Sequence, residues 1–586
     1  MKCPHCGVNN RDTSTFCVNC NLPLETQYTQ KENAISSVRK AYSTTGLLLS
    51  YFGWSQESVG KQGGGKRNLL LLAFVLILVN ALVIGHDALL GYLHPKLLYV
   101  GPFPADGLGL VQTLNGEYVG LSDGRVAFDV DPQAPDARLD SDLKKQAAQK
   151  LLAGDRSSAL SLWQEAIDQD PSDAEARIYL EDQRVIISAQ PYITFVIGIN
   201  FLTKPYARRV TRDVLQGIAI AQQEYNSQVR QSGGAALRLL ISNAGNEETN
   251  QPLVAQQIVA AQQADKTIKG VIGWPSSSRS LNTVETLAKA HLPLISQSAS
   301  SDLLTGISPY FFRVVSPTSV EGRIDAKYVE QELHAKRVVV FEDPANSFSQ
   351  SIVHAFEQQF MNDGNTIAYH EQYKTGELQD HARQLEHALT YQPDLLYMPI
   401  TRAADMQEFL AHLPTSGPFA HLQVMGGDTT YDVKVTPDDS RILNRVYFSA
   451  PAHPDEWHLL NPTATEPPPF LTDYTQAYDP DNRHQGQYGL SSPSGFAMVS
   501  YDTTLVLLAG SKMAMQQHHS QDFNGSDLQQ ALKQIKRNNA VQGVSGQISF
   551  DENNDPVQKA TVILHIDGQA HIQLVDHGLC YIDECV

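Results

Sequence analysis

Four cysteines open the chain as two short pairs, Cys3-Pro-His-Cys6 and Cys17-Val-Asn-Cys20. Four thiolates at this spacing can close a tetrahedral Zn²⁺ site, and in so short a segment the metal's binding energy becomes the folding energy. With every ligand position taken by Cys the site is closed, hence structural rather than catalytic. A redox pair would need a surrounding βαβ unit, and a disulfide pair an oxidising compartment. The sequence therefore predicts a zinc ribbon over residues 1–24, with His5 a bystander. Two further cysteines, Cys580 and Cys585, flank Tyr-Ile-Asp-Glu at the other end. Outside the cell they can close a small disulfide loop that pins the terminus; otherwise they are two free thiols.

A second group of candidate residues is a pair of hydroxyl clusters, Ser276–Ser277–Ser278 and Ser296 to Ser301. Each follows a short apolar run (GVIG, PLIS) and precedes a helical pattern. Beyond the carboxyl ends of parallel strands, free backbone N–H groups and helix N-termini face a crevice, so serines there can hold a small anion. The same serines can equally be plain N-caps, a role Ser fills well. No G-x-S-x-G, P-loop, HExxH or supported carboxylate pair occurs, so the chemistry expected is binding, and the chain is not an enzyme.

The elements that position these serines run from Tyr192 to about Ser316. Apolar runs (ITFVIGI, LRLLIS, GVIG, PLIS) alternate with helical spacing such as Val210, Val214, Ile218, Ala221 and Tyr225, the mark of βαβ units and a parallel sheet. After Ser316 the alternation restarts with RVVVF, IAYHEQY, DLLYMPI and LQVMGG, which predicts a second sheet. Beyond residue 445 the chain is expected to return to the first lobe, with VYFSAP as a linking strand and a long helix from Gly495 to Met515. GQISFDENND, ATVILHI and HIQLV are then expected to rejoin the second lobe.

At 586 residues the chain exceeds one ordinary core. Its net charge of −19 argues against a nucleic-acid partner, because a phosphate-binding surface needs a basic excess. Residues 25–66 are polar and end in KQGGGKR, a flexible cytoplasmic linker. From Asn68 to Gly85 no charge interrupts an apolar run long enough to span a bilayer. Lys61, Lys66 and Arg67 precede it and little basic charge follows, which places the N-terminus in the cytoplasm and the main domain outside. A cleaved signal peptide would need an n-region containing a folded zinc site, so a retained single-pass helix over 67–90 is the expectation. Residues 91–140 read as an extracytoplasmic spacer with one hairpin. In residues 141–190, Gly154, Ala159, Trp163, Ala166 and Pro171 fall at the offsets of a tetratricopeptide repeat. One repeat is too few to stand alone, so it is expected to pack on its neighbour as a helical collar between membrane and main domain; peptide docking is the alternative role.

From about residue 191 to 586 the chain resembles type I periplasmic solute-binding proteins of the leucine/isoleucine/valine-binding family. The matching pieces, in order, are YITFVIGIN, DVLQGIAIAQQEYN, GVIGWPSSS, PLISQSASSDLL, FFRVVSPTS, RVVVFEDPANSFSQS, QPDLLYMPI and LQVMGGDTTYD. The resemblance implies a two-lobed α/β fold with three crossovers, lobe 1 from about 191–315 and 446–543, lobe 2 from about 317–445 and 544–586. It implies that Ser276, Ser277, Ser298 and Ser300 hold a ligand's carboxylate and that Asp428 pairs with its ammonium. Where the family often has Tyr-Gly, this chain has Phe348-Ser349, which keeps an aromatic wall and loses its hydroxyl; Thr401 and Arg402 replace aromatics opposite. These departures point away from branched-chain amino acids toward a small polar amino acid or amide-like solute. The implied partner is a bacterial ABC permease; the alternative is a sensor or scaffold read through the collar or the zinc ribbon.

Overall fold

The computed structural model describes residues 99–586 except 101–102, 135, 202–207, 378–379, 434–439, 464–465 and 570. The predicted zinc cysteines, the linker and the membrane-spanning run lie outside the described residues. Among the described residues, no helix is long and apolar enough to cross a membrane. Residues from Leu98 onward form one compact unit.

Two sheets organise it. The first has the order β1-β2-β3-β5-β4-β6-β7-β8. Its parallel part comprises β4 (Tyr192–Ile199), β5 (Ala236–Asn243), β6 (Ile268–Gly273), β7 (Leu294–Ser296) and β8 (Phe311–Arg313). The segment read as a spacer supplies the rest. β1 (Tyr99–Val100), β2 (Gly109–Thr113) and β3 (Tyr118–Ser122) form an antiparallel meander, and β3 pairs with β5 to extend this sheet. The second sheet has the order β10-β9-β11-β12-β13-β16-β17. It contains β9 (Arg337–Glu342), β10 (Thr366–Gln372), β11 (Leu395–Met398), β12 (Gln423–Gly426), β13 (Val446–Ala450), β16 (Thr561–Ile566) and β17 (Ile572–Cys580).

The switch between lobes differs from the expectation at two places. VYFSAP forms β13 within the second sheet, parallel to β12 and antiparallel to β16, because its apolar side chains complete that core. The crossing therefore follows Ala450. The hairpin β14 (Val541–Gly543) with β15 (Gly546–Ile548) stays with lobe 1, where Val544, Ile548 and Phe550 join its core.

Before β4, helices α1 (Ser141–Leu152), α2 (Arg156–Gln169) and α3 (Ala174–Ser188) form the predicted helical segment, with Ala159, Trp163 and Ala166 fully buried. Trp163 packs on Tyr179 at 5.2 Å between ring centroids. This segment is fused to lobe 1 through α4 (Arg209–Ser232), whose first turn borders the cleft between the lobes. The joint is ionic. Lys144 Nζ lies 2.7 Å from both Asp173 and Glu175, while Arg138 and Arg212 meet Asp129 at 3.1 and 2.8 Å. Burial works to raise the Asp129 carboxyl, yet the Lys144 ammonium and the Arg212 hydrogen bond hold it well below the usual range. Glu175 also accepts from the backbone N–H groups of Phe128 and Asp129, so one carboxylate orders the strap that leads into α1.

On the inner side, α12 (Gly495–His518) runs against α4; between them in sequence lie α5 (Gln251–Ala264), α6 (Ser277–Lys289), α7 (Thr318–Gln331), α8 (Ser347–Asn362), α9 (His381–Leu389), α10 (Ala403–Ala411) and α11 (Pro469–Tyr478). Any Cβ at Gly217 would fall 2.0 Å from the Ala497 carbonyl, so glycine sets how closely α4 and α12 approach.

Removing the buried ammonium in a Lys144→Met protein leaves Asp173 and Glu175 facing each other. Such a loss typically costs about 3–5 kcal/mol, and the expected outcome is a matching fall in unfolding free energy by denaturant titration.

Candidate functional site

The cleft between the lobes has a volume of about 300 Å³. Its lobe 1 wall is built by the βα turns after β4, β5, β6 and β7. The turn after β6 is anchored by Trp274, which is fully buried against Gly198; a Cβ at that glycine would sit 2.7 Å from the indole. The Trp274 carbonyl accepts from Ser280 Oγ at 2.9 Å and from Ser296 Oγ at 3.0 Å. Ser298 Oγ donates to the Pro275 carbonyl at 3.1 Å, and the Ser301 N–H donates to Ser277 Oγ at 3.1 Å. The two serine clusters are thus stitched into one surface.

Ser276 is the N-cap of α6 but its side chain makes no capping bond; its hydroxyl lies 3.0 Å from that of Ser278. The first intrahelical bond runs from Ser280 N to Ser276 O, so the amides of Ser277, Ser278 and Arg279 have no intrahelical partner. Ser276, Ser277 and Ser298 line the cleft, whereas Ser300 does not. Ser300 faces a smaller cavity of about 20 Å³ at the hinge, and its carbonyl accepts from Arg313 and from the Thr318 amide, each at 2.8 Å.

Lobe 2 supplies Asn346, Phe348, Thr375, Thr401, Arg402, Asp428 and Thr429. Asn346 caps α8, accepting from the amides of Phe348 and Ser349 at 3.0 and 3.1 Å, and this sets the Phe348 ring as a cleft wall. Arg402 lines the cleft but pairs with the buried Asp405, which also accepts from the Gly376 amide at 2.9 Å, so its charge is largely spoken for. Asp428 follows β12 in a short 3₁₀ turn and has no cationic partner among the described residues. Burial pushes its carboxyl up to about 6, against the Thr429 backbone N–H, which favours the ionised form.

Two charged residues that line the cleft were not singled out from sequence. Arg279, one residue past the serine triplet, donates to the carbonyls of Gly245 at 3.2 Å and Asn246 at 2.7 Å and pairs directly with no carboxylate among the described residues; burial lowers its pKa. Glu248, at the exposed rim, accepts from Ser278 Oγ at 2.6 Å. Arg279 was legible as the third residue of a helix that starts at the site; Glu248 had no local signal. Cys580 and Cys585 form a disulfide with an S–S distance of 2.10 Å.

A family model described as periplasmic binding protein matches residues 205–570. The chain belongs to that family. It is accordingly a two-lobed, non-enzymatic binding protein. Among solved structures, a leucine-binding protein from Thermotoga maritima superposes with a TM-score of 0.52 at 19% identity, covering 66% of this chain and 98% of its own. A branched-chain amino acid transporter substrate-binding protein from Streptococcus pneumoniae, in complex with isoleucine, gives 0.51 at 19% identity over 66% and 99% of the two chains. A solute-binding protein from R. palustris in complex with benzoate gives 0.52 at 13% identity over 67% and 97%. A search of curated protein sequences finds no match.

The raised Asp428 carboxyl fixes the sign of a pH effect. Its folded pKa lies above the ordinary aspartate range, so its contribution to stability is full at low pH and is lost as pH rises through about 6. Asp428→Asn should therefore be more stable than the wild type near pH 8, by on the order of 2 kcal/mol. The gap should close below about pH 4, as read by denaturant titrations at both pH values.

Proposed function

We propose that this protein is a membrane-anchored, extracytoplasmic receptor that closes its lobes on a small polar ligand, an amino acid or amide-like solute, and delivers it to an ABC permease. The observation that carries the reading is the pairing of opposites across one cleft. The unbonded amides at the start of α6 and the Ser277 hydroxyl offer anion-binding donors on lobe 1, and Asp428 offers an unpaired carboxylate on lobe 2. A zwitterion needs both, in a place that excludes water. Arg279 gives the lobe 1 side an additional cation, which suits a polar or carboxyl-bearing side chain better than an aliphatic one.

In this reading the apolar run over 67–90 is the single membrane span, and Cys3, Cys6, Cys17 and Cys20 hold a structural Zn²⁺ in the cytoplasm. A second reading, a sensor whose closure a partner reads against the helical collar as a fixed reference on lobe 1, is favoured by one contact. The ionic joint at Asp129 and Arg212 grips the same helix, α4, whose Val210 and Thr211 border the cleft.

Thermal unfolding of the full-length protein against a panel of amino acids, amides and benzoate tests the main reading. A ligand at about a hundred times its Kd adds about 2.7 kcal/mol to the folded state, so one polar amino acid should raise the melting temperature and Asp428→Ala should abolish the shift. A panel without any shift, or a shift that survives Asp428→Ala, refutes the assignment of the cleft. Separately, metal analysis of the purified chain should find bound zinc that is lost in a Cys3→Ser, Cys17→Ser protein.

A further inference from the structure

Beyond Asp428, on the hinge side of the cleft, lies the smaller cavity of about 20 Å³, room for about one water molecule. Glu321, Ser298, Ser300 and Asp428 line it together with hinge residues such as Ser316 and Thr561. Ser298 and Asp428 border both cavities, so one wall of the ligand cleft is also a wall of the hinge.

Glu321 and Asp325 stand one turn apart on α7 and are 9% and 0% exposed. Two carboxyl groups there share few donors. Ser449 Oγ lies 3.1 Å from Glu321 Oε1 and 3.3 Å from Asp325 Oδ2, and can donate to only one of them at a time. Tyr397 OH donates to Asp325 Oδ2 at 2.7 Å, and Asp325 Oδ1 is buried without a partner.

Among the described residues, the surrounding elements bring no compensating cation. On α7 itself, Arg323 and Lys327 donate to the carbonyls of Ser319 and Ile582. On α8, Ser351 meets Thr318 and Glu357 pairs with His370. Of the crossover cations, Lys559 donates to Ser545 and is acted on by Asp502 and Glu456, and Arg313 is held by Asp555. Two carboxylates in such a site cannot both ionise. Burial, then Asp325, then Asp428 raise the Glu321 carboxyl, and burial lifts Asp325 to about 7.

We propose that the Glu321–Asp325 pair is a proton-exchange site coupled to the ligand cleft: it keeps a proton while Asp428 lacks a cation and releases it to solvent when an ammonium-bearing ligand settles on Asp428. The physical step is the removal of one negative neighbour. A bound ammonium cancels the Asp428 charge, the pair's hold on its proton weakens, and the proton passes to the buffer. An anionic ligand without an ammonium would leave the proton where it is. The ligand half of this rests on the reading of Asp428 as the ammonium's partner; the proton half does not.

Infrared spectra of the full-length protein, titrated with pH, test the proton half. A protonated-carboxyl C=O band belonging to the pair should be present at neutral pH and should appear in difference spectra of the wild type against Glu321→Gln and, independently, against Asp325→Asn, which separates it from other buried carboxyls that burial raises. In Asp428→Asn, which neutralises that carboxyl as a bound ammonium would, the midpoint of the band should move down by about one pH unit. The absence of the band in the wild type, or an unmoved midpoint in Asp428→Asn, overturns the proposal. Calorimetric titration with L-glutamine in two buffers of different ionisation enthalpy tests the ligand half. Proton release is expected in the wild type and none in Glu321→Gln, and binding without release overturns the exchange. If L-glutamine does not bind, the same titration is run with the panel member that raises the melting temperature, and if none does, the reading of the cleft is what fails and the infrared midpoints decide the coupling alone.

Discussion

Arg313 is fully buried at the end of β8, where the chain first leaves lobe 1. Its guanidinium takes both oxygens of Asp555, at 2.6 and 3.0 Å, and donates to the carbonyls of Ser300 and Ser301 at 2.8 and 2.9 Å. With these bonds it fastens the first crossover to the approach of the third and fixes the turn that carries Ser298 and Ser300. A buried cation without its carboxylate would be several kcal/mol out of balance, so the bidentate geometry is a condition for the hinge to exist at all. Lys559 repeats the device one step further along: it donates to Ser545, whose hydroxyl in turn donates to Asp502 on α12, and the Lys559 carbonyl accepts from Ser316 at 3.0 Å.

From that anchored hinge the binding site follows. The serine turns are stitched to each other through Trp274 and Pro275, which leaves the start of α6 with unbonded amides rather than a self-capped end. Across the cleft, Asn346 spends its side chain on capping α8 and so places Phe348, while Asp428 is given a single backbone donor and, among the described residues, no counter-charge. Lobe 1 is left with unbonded donors and lobe 2 with an unpaired acceptor, so the two walls differ in kind. That asymmetry is what makes the cleft a place for a ligand instead of a packed interface.

Much of this was legible in the sequence wherever the signal was local. The βα alternation from Tyr192 onward fixed the strand and helix types, and strand ends put Ser276, Ser277 and Ser298 on one surface. Non-local pairing was not legible. β1 to β3 are short, rich in glycine and polar residues, and find their partner in β5, far along the chain. VYFSAP has the pattern of a buried strand in either lobe, and only its registration between β12 and β16 decides which. Ser300 turns to the hinge because its neighbours Arg313 and Thr318 claim its carbonyl. Glu321 and Asp325 have the spacing of an exposed polar stripe, and only the tertiary fold reveals that they are buried.

The ionic joint among Lys144, Asp173, Glu175, Asp129 and Arg212 makes the collar and lobe 1 a single rigid piece. Any hinge motion is then carried by lobe 2, with the collar as a stationary reference. A partner that touches the collar alone meets the same surface whether the cleft is filled or empty. To tell the two states apart it must straddle the collar and lobe 2, measuring one against the other as a caliper does.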